Sequence, residues 1–154
     1  MKELSEYRIK LIDKLAGEAR AFREHCLTAN DPFAPVELGG WNVHQIAVHV
    51  RDVDQLAYGL RARRTLTEDY PEFQSFDGDA HAREHYSADE PLEKLLAGFI
   101  QSVEDLADML RDLPAEAWSR GSRHEKLGGG LTLQTWVERG LAHIEEHLET
   151  VKKA

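Results

Sequence analysis

The chain has 154 residues, 42% of them hydrophobic and 31% charged, which fits one ordinary globular domain large enough to bury a core. Its formal charge of −9 excludes nucleic acid and anionic membrane surfaces as expected partners, since both attract basic proteins. No apolar run approaches the roughly 20 residues that a bilayer-spanning helix needs. The opening Met1-Lys2-Glu3-Leu4-Ser5-Glu6 has no apolar signal core, and the single cysteine, Cys26, cannot form an internal disulfide, so the cytoplasm is the expected compartment.

Helical periodicity occurs four times, and no segment shows the strict alternation of a strand. The first helix is expected from about Glu3 to Leu27, with Leu4, Leu11, Leu15 and Phe22 on one side and Tyr7 and Ala19 flanking. After Ala29 to Gly40, a stretch rich in Pro and Gly, a second helix starts at Asn42, where Asn42 and Gln45 have capping-box spacing, and runs to about Arg64. Arg61, Arg63 and Arg64 at its end read as partners of the helix dipole. About two dozen residues then lead to a third helix, Asp89 to Leu113, whose apolar face is Leu92, Leu95, Leu96, Phe99, Val103, Leu106 and Leu110. A link that long can cross the length of a bundle, so helices two and three are able to run parallel. Gly128-Gly129-Gly130 reads as a flexible lead-in to the fourth helix, from Thr132 to about Lys153. Four amphipathic helices of these lengths predict an all-α four-helix bundle.

Eight histidines invite a metal reading, so each must be placed on its helix. On helix two, Val43, Ile46, Val50, Val53, Leu56, Ala57 and Leu60 define the buried sector; His49 falls inside it and His44 on the solvated side with Arg51 and Gln55. On helix four, Leu133, Val137, Gly140, Ile144, Leu148 and Val151 form the core face, with Glu138, Glu145 and Glu149 toward water. His143 and His147 lie four apart on one edge of that face, beside Trp136, so their side chains stack on consecutive turns. His49 sits about 10 Å past the Asn42 cap, and the helix-four pair about 7 to 13 Å before the end of its helix. If the two helices run antiparallel, all three imidazoles fall at nearly one level. Hydrogen-bonded core histidines are the alternative for any one of them. For three at one height, a shared cation would satisfy three ring nitrogens at once.

Other candidates carry weaker context. His81 and His85 are four apart but follow Asp77-Gly78-Asp79 with no apolar stripe. His124 sits in a loop near helix four, where it could contact a substrate, and Trp136 is expected to line the same pocket. His25, Cys26 and Glu18 lie on or near the core face of helix one, where a helix-end cysteine is usually inert.

With these residues in place, the chain resembles the DinB-like superfamily, which includes the YfiT-like proteins. The matching segments are Trp41-Asn42-Val43, Ala47-Val48-His49-Val50, Asp112-Leu113-Pro114-Ala115-Glu116-Ala117-Trp118, Arg123-His124, Leu131-Thr132-Leu133 and His143-Ile144-Glu145-Glu146-His147. They span nearly the whole chain. The resemblance implies up-down-down-up connectivity, one divalent metal ion (nickel or zinc) on His49, His143 and His147, and frequent homodimers. Relatives with known activity are thiol S-transferases or isomerases using mycothiol, bacillithiol or glutathione. Two positions depart from the pattern: Ile144 stands where relatives often have an acidic residue, and Thr150 where they often have glutamine. The resulting expectation is a metal-dependent transferase that activates a small thiol toward an electrophile. A metal-dependent hydrolase and a metal-binding or dimerising module without catalysis are the alternatives.

Overall fold

A computed structural model describes residues 2–154. Four long helical rods form the bundle: α1 (Lys2–Leu27), a second rod made of α2 (Val43–Val53) and α3 (Gly59–Thr67) joined through a π-turn (Asp54–Tyr58), α5 (Leu92–Arg111) and α6 (Leu133–Val151). A short helix α4 (Gly78–His85) lies in the link before α5. Among the described residues, no helix is long and apolar enough to cross a membrane. The core forms where the apolar stripes meet, with Leu11, Leu15, Ala19 and Phe22 of α1 buried against Leu96, Phe99, Val103 and Leu110 of α5. Phe22 and Phe99 meet edge to face at 5.8 Å.

Helix starts follow the sequence signals. Asn42 Oδ1 accepts from the Gln45 N–H at 2.7 Å while Gln45 Oε1 accepts from the Asn42 N–H at 2.9 Å, a complete capping box. Thr132 Oγ1 caps α6 by accepting from the Thr135 N–H at 3.2 Å. Side-chain pairs give the helix directions. Arg8 meets Gln134 at 3.0 Å and Lys14 meets Glu145 at 3.1 Å, so α1 and α6 run the same way. Asp13 pairs with Arg111 and Arg20 with Glu104, so α1 and α5 run oppositely. His49 lies against His147, and Arg61 over Trp136, so the second rod is antiparallel to α6.

Several expectations are corrected. The glycine run is no flexible lead-in: it forms strand β3 (Gly128–Thr132), antiparallel to β2 (Gly121–His124), which pairs in parallel with the two-residue β1 (Glu72–Phe73). Segments of two to five residues, one of them mostly glycine, are too short and too poor in side chains to show strand alternation. His44 is buried (1% exposed), not solvated. The link folds back over it, so its Nε2–H donates to the Glu90 carbonyl and its Nδ1 accepts from the Tyr86 hydroxyl, both at 2.7 Å. Leu56 and Leu60 are 45% and 37% exposed rather than buried, and Arg61 and Thr65 face inward in their stead. Leu4, in the first turn of α1, is also exposed.

The π-turn causes the change in the second rod. Its Gly59 N–H bonds to the Asp54 carbonyl five residues back, so one turn takes in an extra residue and every later side chain is rotated. The turn requires glycine at its exit, because a Cβ on Gly59 would lie 2.6 Å from the Asp54 carbonyl oxygen. Asp54 itself is buried, and loss of water pushes its carboxyl up to about 6. Gly59→Ala is therefore expected to cost about 1–3 kcal/mol through overpacking and to lower the midpoint of thermal unfolding by several degrees. A circular-dichroism melt identical to that of the parent protein would show that the π-turn tolerates a side chain.

Candidate metal centre

His49 enters the bundle from the second turn of α2, and the residues around it explain why it is held there. Trp41, just before the Asn42 cap, sets its ring edge-on to the imidazole at 5.0 Å. On the other side Gly78 opens α4 so closely that a Cβ there would lie 2.8 Å from His49 Cε1 and 3.1 Å from Val53 Cγ2. Asp77 fixes that approach by accepting from the Ala80 N–H at 3.0 Å. From α6, His143 and His147 project on consecutive turns with ring centres 4.5 Å apart. Their rings lie 5.1 and 4.8 Å from that of His49.

The donor atoms converge. One nitrogen from each ring lies within 4.8 Å of the others, and among the described residues this is the group of His, Cys, Asp or Glu side chains with such spacing. His49 Nε2 and His143 Nε2 face each other at 3.2 Å. The opposite nitrogen of His49, Nδ1, is buried against the Gly78 backbone without hydrogen-bonding geometry, although that contact favours a proton on the ring. Two nitrogens on one tetrahedral zinc-sized ion lie about 3.4 Å apart, so the widest gap among the three closes by rotation of the rings toward a common point. The donor set therefore fits a divalent metal ion with nitrogen affinity.

Electrostatics keep the rings in the ligating form. Burial, reinforced by His147 and His49, lowers the His143 pKa to about 3. Burial and then His49 lower that of His147 to about 4, against the opposing charge of Asp79. Burial also lowers His49, while Asp79, Asp52 and Glu146 pull the other way. At neutral pH the three imidazoles are uncharged, each with a lone pair to offer.

A cavity of about 480 Å³ opens on His49 and His143, with Tyr58, Arg61, Phe76 and Asp79 among its walls. A smaller one of about 170 Å³ reaches His147 from the other side, between Trp41, Ile46 and Thr150. Trp136 and His124 lie elsewhere than expected, and neither lines the larger cavity. Trp136 is fully buried, donating its indole N–H to Ser122 Oγ at 2.7 Å. His124 is buried at the end of β2, where its Nδ1 accepts from the backbone N–H groups of Lys126 and Leu127 in the turn that follows. The His81 and His85 rings lie 4.4 Å apart, tilted by 37°, with His81 3.5 Å from Asp52, outside the converging group. Cys26 is buried, and desolvation pushes its thiol up to about 12. His25 and Glu18 are half-buried on α1.

Sequence reasoning missed Tyr58, Arg61, Gly78 and Asp79 as cavity residues. The π-turn hid Arg61 by rotating it inward. Asp77-Gly78-Asp79 read as a turn, although the wedge of Gly78 against His49 is what gives it a place in the site.

The fold and the family model together place the chain in the DinB-like superfamily. The chain belongs to the family of the mycothiol maleylpyruvate isomerase N-terminal domain, whose model matches residues 13–148. Among solved structures it is similar to YfiT from Bacillus subtilis, described as a probable metal-dependent hydrolase with an unusual four-helix bundle topology. The TM-score is 0.77 at 22% sequence identity, over 99% of this chain and 86% of that one. At this identity the likeness carries the fold. Among curated proteins, no sequence matches.

The depressed histidine pKa values set a pH dependence for the metal-free protein. Below about pH 6.5 an unfolded chain takes up protons that native His143 and His147 refuse until about pH 3 and 4, so stability falls with pH across that window. Asp54 acts oppositely, because its raised pKa stabilises the native state as pH falls from about 6 toward 4. Thermal melts of metal-stripped protein from pH 8 to 4 are expected to show a falling midpoint, a shallower fall in His143→Gln and a steeper one in Asp54→Asn. Equal slopes in all three proteins would remove the electrostatic account.

Proposed function

We propose that this protein is a metal-dependent enzyme in which His49, His143 and His147 hold one divalent ion, nickel or zinc, beside a substrate cavity. The observation that carries the reading is the convergence of three neutral imidazole nitrogens within 4.8 Å, two of them from rings that line a 480 Å³ cavity. Three protein ligands leave a coordination position open, as catalytic rather than structural sites do. A metal bound there acts as a Lewis acid that lowers the pKa of a thiol or water in the open position. The reaction we favour is transfer of a small thiol to an electrophile, in keeping with the family's mycothiol-dependent namesake. Tyr58 and Phe76 shape the cavity, Gly78 and Trp41 hold the His49 ring, and Asp79 stands where it can take a proton from the nucleophile. An up-down-down-up bundle accords with the helix directions read from side-chain pairs, and a homodimer in the cytoplasm completes the proposal.

Hydrolysis is the second reading. Asp79 favours it, being a cavity carboxylate whose charge bears on both His49 and His147 and so a candidate general base. The described relative of that name is the other support. A module without catalysis is disfavoured by the open cavity, since a purely structural centre has no use for one.

Elemental analysis should find about one nickel or zinc per chain in the purified protein. His49→Ala is expected to reduce it at least tenfold without unfolding the bundle. Metal-loaded protein given candidate thiols and a generic electrophile should then turn over, and His147→Ala should not. Full metal content in His49→Ala, or unchanged turnover in His147→Ala, overturns the assignment.

A further inference from the structure

We propose that the cavity wall opposite the histidines is a binding site for the carboxylate of a small ligand, built on Arg61 with Lys126 at the mouth. The proposal rests on reading this cavity as the substrate site, and it adds the chemical class of what enters.

Arg61 is only 7% exposed, yet among the described residues no carboxylate lies within ion-pair distance of it. Its one hydrogen bond to the protein runs from Nη2 to the Gln74 carbonyl at 3.0 Å. Arg51 shows what a paired guanidinium looks like in this fold, bound to Asp52 at 2.7 Å and Glu90 at 2.6 Å. Glu72 lines a neighbouring cavity with Arg61 but pairs with Arg123 at 3.8 Å. Arg139 repels Arg61, and Arg61, Lys126 and Arg139 together oppose protonation of His124. Glu125, the acid that acts on His124, is engaged by the Ser75 N–H at 3.0 Å. Such a cluster is notable in a chain of net charge −9. A desolvated guanidinium without a counter-ion is costly, and a planar carboxylate that accepts from its fork offsets that cost.

Position completes the case. The guanidinium carbon lies over the Trp136 ring at 4.9 Å and over the Tyr58 ring at 5.8 Å, so its position is set before any ligand arrives. Tyr58 also lies 5.7 Å from the His143 ring, which places it between the two ends of the cavity. The cavity acids Asp77 and Asp79 flank Gly78, which touches His49, so they belong to the histidine end. A ligand a few bonds long can therefore anchor an anionic group at Arg61 and present its reactive atom to the histidines.

The test is calorimetric titration of metal-stripped protein with succinate and with its uncharged counterpart succinamide. Succinate should bind, succinamide should not, and added salt should weaken the binding. Arg61→Gln should lower succinate affinity at least tenfold, and Lys126→Gln two- to threefold. Because Arg61 packs on Trp136, Arg61→Lys keeps the charge while losing the fork and should bind several-fold more weakly. No succinate binding, equal binding of succinamide, or unchanged affinity in Arg61→Lys and Lys126→Gln overturns the proposal, whether or not Arg61→Gln folds. The metal is absent from this titration, so failure of the histidine variants to lose metal would sink the enzymatic reading and leave the succinate result standing. In the metal-loaded protein, mercaptosuccinate against 2-mercaptoethanol and fumarate against fumaramide locate the carboxylate. Dependence on Arg61 in the first pair places it on the thiol, and in the second on the electrophile; either supports the site.

Discussion

The antiparallel contact between the second rod and α6 is the interaction on which the rest depends. It brings the start of α2 to the end of α6, which sets His49 level with His143 and His147. The same contact continues through Tyr58, whose Cβ lies where a side chain on Gly140 would come within 3.3 Å, and ends at Arg61 over Trp136. A bulkier residue at position 140 would push the rods apart where they cross. The histidine group and the arginine would then separate from α6 together, because both are read from one interface. Packing and chemistry are coupled here through a single interaxial distance.

Burial decides the electrostatics of that interface, and the nearby carboxylates moderate it. Asp52, Asp79 and Glu146 all favour a charged His49, yet desolvation and the neighbouring rings leave the three imidazoles neutral. The result is a cluster of lone pairs with acids at its margin. That combination attracts a cation more strongly than neutral rings alone would, since Coulomb attraction in a partly desolvated site is poorly screened. The residue after the first α6 histidine is the buried, apolar Ile144, so the negative charge comes from Asp52 on α2, Asp79 on α4 and Glu146 on α6.

The bundle was legible because amphipathic helices advertise themselves over many turns. The cap at Asn42 and the faces of α5 and α6 follow from residue types alone, and the level of the histidines follows from counting along those helices. Local geometry was not legible in that way. A π-turn changes the phase of everything after it by one residue, and Asp54 to Gly59 carries no sequence mark of it apart from a glycine that also fits an ordinary helix. Leu56 and Leu60 therefore looked buried, and Arg61 looked like a surface partner of the helix dipole. His44 was misplaced for a different reason. Its burial comes from Tyr86 and Glu90, more than 40 residues away in a link whose path no periodicity encodes. Where a side chain is covered by its own helix neighbours, pattern reveals it; where a returning loop covers it, pattern cannot.

The link also bears on why the proposed centre has the character of a reactive site. A centre meant to brace the bundle would recruit a fourth ligand and close over the ion. Asp79 was available for that role, since it lies in the same cavity on the first turn of α4. The donor group nevertheless consists of three histidines, with Asp79 acting on them through its charge rather than joining them. Gly78 explains how the acid stays back. With no side chain, α4 presses its backbone onto His49, and that contact orients the ring while the chain carries Asp79 past it into the cavity. The wedge thus holds a ligand in place and leaves one face of the site to a substrate, two tasks that a larger residue at position 78 would set against each other.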